Sequence, residues 1–267
     1  SQGRNAMAGA VIVNTREHEL VGGVHPQFSA RLAGGNADSL QGAGALGMTL
    51  APDELALRIV SDQRMDDGDI YNATRGQKDW AGRRSSGTRI RAKWQPGGDG
   101  GAYSALLSAA DLDLDQGSRY VLMSQEQARV SLSDAPQDYD NRSRLASLEQ
   151  RLRLGEDWSL RAISAWIESG TRSRFDLDYG AEDQGRTLQQ EDARGFSQEL
   201  RLQYAGETLQ GSVGAYYFNG RDGDRSAANI DLNAFLEITG LCGVQLACSL
   251  PLGRVQIDSS NPSRVRD

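Results

Sequence analysis

The chain has 267 residues, of which 38% are hydrophobic, 31 are glycine and 6 are proline. Its net charge of −7 argues against a general affinity for nucleic acid, because that affinity depends on an excess of clustered cations. No run of about 20 apolar residues occurs, which argues against a membrane-spanning helix. Frequent glycine with scarce proline favours strands and turns over a proline-rich disordered linker.

The first repeated pattern along the chain is an alternation of apolar and polar side chains. It begins in LQGAGALGMTL, at residues 40–50, and continues in ELALRIV, at 54–60, after a turn at Pro52 and Asp53. Successive side chains of a strand leave opposite faces, so an alternation of period two predicts β-strands. Residues 42–47, GAGALG, match a dinucleotide-binding glycine pattern, but no apolar strand precedes them and no helix follows, so we predict a glycine-rich strand.

The next segment, GTRIRAKWQP at residues 87–96, alternates in the same way and adds a charge pattern. Ile90 and Trp94 lie on one predicted face, and three cations lie on the other. Those cations are Arg89, Arg91 and Lys93. One such strand is compatible with a soluble sheet, whose apolar side covers a core, and also with a barrel wall whose apolar side contacts lipid.

Later segments predict two further hairpins. Residues 144–154 and 158–166 alternate on either side of a turn at 155–157, and residues 196–204 and 209–218 alternate around a turn at 205–208. A helix is the competing interpretation of 144–152, but the neighbouring segments all have period two.

The predicted connections alternate between short and long. Short turns lie near 51–54, 96–101, 155–157 and 205–208, and long polar segments lie near 66–86, 116–141, 171–194 and from 220 onward. This order is typical of a transmembrane β-barrel, in which short turns and longer loops lie on opposite sides of the membrane. We therefore predict an all-β fold: part of an antiparallel transmembrane barrel with its apolar face on lipid.

The first residues provide a family resemblance. GRNAMAGAVIVNTRE, at residues 3–17, resembles the end of the plug domain of TonB-dependent outer-membrane receptors. Later segments resemble barrel strands of that family in the same order. They are 54–72, 89–96, 158–166, 196–206 and 211–218.

The resemblance implies a domain organisation. Residues 1–17 would be the C-terminal end of the plug, and residues 18–267 would form the N-terminal portion of the barrel. About nine strands are expected here, out of the 22 of such a receptor. Because residue 1 is not methionine and most of the plug has no counterpart, we expect a fragment.

The implied function is active uptake of a scarce nutrient, most often a ferric siderophore, across the bacterial outer membrane. The TonB complex would supply the energy through the plug, and membrane lipid would surround the barrel. No cofactor and no enzymatic activity are implied. A passive porin-like barrel and a soluble β-rich binding protein remain as alternatives, and neither the substrate nor its binding residues follow from the sequence.

One pair of site residues follows from the resemblance. Inward-facing barrel glutamates of this family bind arginines of the plug, and Glu199 in FSQELR matches such a position. Arg4 precedes the last plug strand, so a latch between Arg4 and Glu199 is expected. The alternative is that Glu199 pairs with a barrel neighbour, either Arg201 or Arg151.

The remaining candidate residues predict little chemistry. Cys242 and Cys248 lie close together without a histidine pair, which favours a local disulfide over a metal site, with two free thiols as the alternative. His18 and His25, the only histidines, do not form a metal-binding or catalytic pattern. Three alternate carboxylates, Asp111, Asp113 and Asp115, are compatible with calcium but more typical of a solvated strand end. We therefore predict no metal site.

Overall fold

The computed structural model describes residues 19, 20, 22–34, 38–122, 124, 126–233, 236 and 253–266. The described elements include twelve strands and a short 3₁₀ helix, Gly98–Gly100. The strands are β1 (Val24–Ala33), β2 (Ser39–Ala51), β3 (Leu55–Asp66), β4 (Tyr71–Asn72), β5 (Arg83–Trp94), β6 (Tyr103–Gly117), β7 (Val130–Ser131), β8 (Asp138–Arg153), β9 (Trp158–Asp176), β10 (Gly185–Ala205), β11 (Gln210–Asp231) and β12 (Arg254–Arg266). Within the described ranges, no helix has the length and apolar character needed to cross a membrane.

Ten of these strands form one sheet in chain order. The order is β1-β2-β3-β5-β6-β8-β9-β10-β11-β12, and every neighbouring pair is antiparallel. In the described part of the chain the two outer strands, β1 and β12, do not pair with each other, so the sheet is open. The predicted all-β, antiparallel and partial-barrel class is confirmed, with ten strands in the sheet where about nine were expected.

The short connections lie where the sequence predicts them, but two long connections are shorter than predicted. β9 runs to Asp176 and β10 starts at Gly185, so the polar segment 171–194 is mostly strand. Likewise β11 continues to Asp231, well beyond residue 220. Backbone ladders do not require apolar side chains, and cross-strand ion pairs such as Arg174 with Asp138 support these polar extensions.

Strand register assigns each side chain to one of two faces. The apolar face carries five alternate residues of β9, namely Trp158, Leu160, Ala162, Ser164 and Trp166. Directly paired residues share a face, so Leu202 lies beside Leu160 and Phe196 beside Trp166. Large side chains of this face are exposed on most strands; examples are Phe28, Ile90, Trp94, Leu107, Trp166, Leu200 and Val213.

The apolar face ends in a row of charges toward the long connections. This row begins at Thr88 and continues through four charged residues, Asp111, Arg144, Glu168 and Arg194, each paired with the next across neighbouring strands. It lies two positions beyond Ile90 on β5 and Trp166 on β9. Arg144 Nε lies 3.5 Å from Asp111 Oδ2, and Arg194 Nη2 lies 2.9 Å from Glu168 Oε1. Ile90 therefore lies at the edge of the apolar band rather than at its centre.

The three alternate aspartates of β6 belong to this charged region. Arg142 forms ion pairs with Asp111 at 3.5 Å and with Asp113 at 3.4 Å, across the β6–β8 pair. Cross-strand arginines therefore balance two of the three carboxylates, Asp111 and Asp113, for which the sequence had left calcium binding and a solvated strand end as alternatives.

Two long connections pack on each other and form a small core. Residues 67–82 and 118–137 join through the parallel β4–β7 pair, in which Tyr71 faces Val130 and Asn72 faces Ser131. The Asn72 side chain is fully buried and donates from Nδ2 to the Ser133 carbonyl oxygen at 2.8 Å. Buried apolar residues pack beneath this pair; they are Ile70, Trp80 and Ala81, with Val121 against them.

Candidate functional site

The face opposite the apolar face carries charges close to the short turns, and we call it the charged face. On β8, β9 and β10, Glu149 and Glu199 both pair in register with Ile163. Two residues further along each strand, Arg151 and Arg201 both pair with Arg161. Two glutamates and three arginines thus form adjacent rows, with the glutamates two strand spacings, or about 9–10 Å, apart.

The two glutamates have different ion-pair partners. Glu149 binds two arginines, with Oε1 2.9 Å from Arg151 Nε and Oε2 3.0 Å from Arg161 Nη2. Glu199 binds one, with Oε1 2.5 Å from Arg201 Nη2. Among the described residues no cation forms an ion pair with Glu199 Oε2. Both glutamate side chains are only 26% exposed, so these charge-assisted contacts are less screened by water than surface pairs.

The charged face extends onto β3 and β5. Arg58 pairs in register with Arg91, and Arg89 Nη1 lies 3.2 Å from Asp62 Oδ1. Arg89, Arg91 and Lys93 lie on this face, whereas Ile90 and Trp94 lie on the apolar face, as the alternation predicts. The predicted separation of cations from apolar residues on this strand is confirmed.

Beside these charges the same face contains an open apolar hollow of about 500 Å³. Its side walls include Leu112, Leu145, Ile167 and Phe218, with Arg89 at one edge. A surface that combines an apolar hollow with half-buried ion pairs is suited to pack against another protein segment, because both components lose contact with water in such an interface.

The sequence identified Glu199 but missed Glu149. Glu199 pairs with Arg201, one of the two alternatives to the latch, whereas Arg151 pairs with Glu149 instead. The missed signal is an internal repeat, because SLEQRL at 147–152 and SQELRL at 197–202 share the pattern Ser-x-Glu-x-Arg-Leu. β8 and β10 run in the same direction on either side of β9, and their register with Ile163 places both glutamates on the same face.

Several predicted residues lie outside the described part of the chain. These are Arg4, the expected plug strand at residues 3–16, Cys242 and Cys248. The latch and the disulfide therefore stay predictions. The glycine pattern at 42–47 lies inside β2, as expected of a strand rather than a phosphate-binding loop.

Two solved structures that superpose on this chain are receptors. The ferric yersiniabactin uptake receptor FyuA from Yersinia pestis superposes with a TM-score of 0.60 and 16% identity, covering 90% of this chain and 43% of that receptor. The siderophore receptor PiuA from Acinetobacter baumannii gives 0.62 and 13%, covering 93% of this chain and 38% of that receptor. The chain has the fold of these receptors.

The superposition confirms, at the level of fold, the predicted resemblance to TonB-dependent receptors. The chain spans about two-fifths of the length of either receptor. No protein-family model and no curated protein matches the sequence. Both structural neighbours are receptors rather than enzymes.

Proposed function

We propose that this chain is part of a TonB-dependent receptor that imports a ferric siderophore across the bacterial outer membrane. In this proposal residues 18–267 form the N-terminal portion of the barrel, and residues 1–17 form the end of the plug. The observation that carries it is the fold shared with two siderophore receptors over at least 90% of the chain.

The two faces of the sheet support a membrane location. On β9 the apolar residues run from Trp158 to Trp166, a nine-residue span with an aromatic side chain at each end. A tilted transmembrane strand needs about 9–11 residues, and aromatic girdles lie at both of its interfaces. In this orientation the apolar face contacts lipid and the charged face lines the barrel interior.

The geometry of the charged face supports Glu199 as the plug-binding glutamate. Glu149 already uses both carboxylate oxygens, whereas Glu199 uses only Oε1. Glu199 Oε2 is therefore the acceptor best suited to a further guanidinium, which we assign to Arg4. The neighbouring hollow would receive the apolar plug segment that follows Arg4, and force from TonB on the plug would break this contact during transport.

The experiment that tests the proposed function is energy-dependent iron uptake by the full-length receptor. It would be expressed in a host without its own siderophore receptors, with and without an intact TonB complex. The probes would be ⁵⁵Fe-loaded catecholate, hydroxamate and carboxylate siderophores and ferric yersiniabactin. We expect uptake of at least one probe that disappears without TonB. Uptake that survives loss of TonB would indicate a porin, and recovery in the soluble fraction would indicate a binding protein.

The latch is tested by a double-mutant cycle. Arg4→Ala and Glu199→Gln should each loosen the plug, and the double variant should add little to either single change, because both remove the same contact. Glu149→Gln is the matched control, since it changes the same residue type on the same face without touching the assigned acceptor. Additive effects of Arg4→Ala and Glu199→Gln on plug protease sensitivity would contradict the latch.

A further inference from the structure

The long connections bring three aspartates together at the end of the sheet away from the short turns. Asp134 lies in the connection that precedes β8, Asp176 is the last residue of β9, and Asp178 follows two residues later. One carboxylate oxygen from each lies within 4.8 Å of the other two. Oxygens bound to one calcium ion at about 2.3–2.6 Å lie at most roughly 5 Å apart. The three carboxylates are therefore close enough to share an ion.

Arg75 and Arg186 lie close to this cluster, but neither forms an ion pair with its carboxylates. Asp176 is only 1% exposed, and Asp134 and Asp178 are half-buried. In the described ranges no arginine or lysine forms an ion pair with any of the three. The arginines of this region pair elsewhere, since Arg254 Nη2 lies 2.6 Å from Asp183 Oδ2. Like charges held together away from water are unfavourable unless a proton or a cation neutralises them.

The hydrogen-bond donors in the cluster are too few for its oxygens. Ser133 Oγ donates to Asp176 Oδ2 at 2.5 Å, and the Asp178 amide donates to Asp176 Oδ1 at 3.3 Å. Asp134 Oδ1 and Asp178 Oδ1 are both buried, and no described residue donates to either. Buried acceptors of this kind normally have a partner, and a cation is the partner that also balances the charge.

A neutral side chain gives an independent indication. Gln137 is 4% exposed and donates from Nε2 to Ser133 Oγ at 3.0 Å, which places its amide group against the hydroxyl that binds Asp176. Its Oε1 is buried and no described residue donates to it. An amide oxygen is a regular calcium ligand, and electrostatic repulsion among carboxylates does not explain why a neutral amide lacks a partner.

We propose that Asp134, Asp176 and Asp178, with the amide oxygen of Gln137, form a calcium-binding site. All of these ligand atoms are oxygens, which disfavours thiolate-preferring and imidazole-preferring metals. Magnesium requires a nearly regular octahedron and retains most of its water, whereas calcium accepts several protein oxygens in irregular geometry.

The surrounding backbone holds the site in place. The Asp134 amide donates to the Gly180 carbonyl oxygen at 2.9 Å, and Arg75 Nη1 donates to the Asp134 carbonyl oxygen at 2.9 Å. A bound ion would therefore fix the connection 118–137 to the hairpin between β9 and β10, and rigidify this end of the sheet.

Calcium binding is measured directly on the full-length receptor in detergent, by equilibrium dialysis against ⁴⁵Ca²⁺. Terbium, which replaces calcium and is sensitised by nearby tyrosine, gives a second signal through Tyr179, the residue next to Asp178. Because Asp176 is buried and its substitution risks the fold, the half-buried Asp178→Asn and Asp134→Asn carry the test. Asp183→Asn is the matched control in the same connection.

We expect one calcium per chain, with affinity at least about tenfold weaker in Asp178→Asn and Asp134→Asn and unchanged in Asp183→Asn. Calcium should displace terbium far better than magnesium does. Three results would overturn the site: no saturable calcium binding, equal binding by the cluster variants and the control, or equal displacement by magnesium. The site does not depend on transport, so failure of the uptake experiment would leave this measurement unaffected.

Discussion

A charge placed at the centre of the apolar face tests the proposed membrane orientation most directly. Leu200 lies midway along the apolar run of β10, four residues from both Tyr204 and Phe196, and its side chain is 45% exposed. Its register partners are Ala162 and Ala215, which are too small to shield a substituted side chain. We predict that Leu200→Arg strongly destabilises the receptor in a bilayer.

The magnitude follows from the depth of this position. Tyr204 and Phe196 are eight positions apart, which is roughly 26 Å along the strand and about 20 Å across the membrane at a tilt near 40°. Leu200 then lies close to the bilayer midplane, where arginine costs about 2–4 kcal/mol in the free energy of unfolding. Gln203→Arg is the control, because it adds the same charge to the charged face of the same strand, outside the apolar hollow, and should change stability by about 0.5 kcal/mol.

The assay is urea unfolding of the full-length receptor refolded into lipid vesicles, followed by tryptophan fluorescence. Both variants should keep the wild-type dependence on urea concentration, so that a shifted midpoint reports stability alone. The reasoning is refuted if Leu200→Arg unfolds with the wild-type midpoint, or if Gln203→Arg is as damaging as Leu200→Arg.

Three further predictions concern the connections. Gly68 and Gly76 have similar φ values of +72° and +65°, but a Cβ at Gly68 would lie 2.5 Å from the backbone of Ala81, whereas one at Gly76 would meet open space. Gly76→Ala should therefore lower the free energy of unfolding by about 1 kcal/mol, and Gly68→Ala should lower it clearly more. The difference should be seen as faster proteolysis of this connection in Gly68→Ala. Burial raises the pKa of Asp176 to about 6, so without calcium stability falls as pH rises from about 4 to 6. Calcium requires the carboxylate, so calorimetric affinity should weaken as pH falls through 6, and equal affinity at pH 7.5 and pH 5 would contradict this. Cys242 and Cys248 should resist alkylation until reduced, and mass spectrometry showing two modified thiols before reduction would exclude the disulfide.

Strands with apolar side chains on one face were predictable because their alternation is visible in the sequence. The two outer strands were missed. Each contains a proline, Pro26 in β1 and Pro262 in β12, which interrupts the pattern. A proline lacks the amide hydrogen of a ladder and is depleted in strands, so neither segment has the strand signal of its neighbours.

The polar halves of β9, β10 and β11 were predicted as loops for a related reason. Hydrophobicity marks the part of a strand that meets an apolar environment, and beyond that part only backbone pairing and ion pairs define the strand. The partners Arg194 and Glu168 become neighbours only through the register of β9 and β10. Nothing in either segment alone reveals that register.

The candidate sites also differ in whether a local sequence pattern reveals them. Glu199 was predicted from its motif, and the repeated pattern around Glu149 was available in the sequence. The aspartate cluster was not predictable, because Asp134 and Asp176 are far apart in the chain and meet only where the connection before β8 returns to the end of β9. Motifs carry local information, whereas this cluster is a product of topology.

The strands are longer toward β11, with 10 residues in β1, 15 in β6 and 22 in β11, whereas the last strand, β12, has 13. When the strand ends at the short turns are placed at one level, the opposite ends lie at different heights. The far end of β11 then lies roughly 40 Å further along the strand direction than the far end of β1. In the proposed orientation a large particle at the cell surface, such as an antibody or a phage, meets the tips of β9–β11 first. Epitope tags for detecting the receptor on intact cells therefore belong in the connection 177–184 rather than directly after the end of β1.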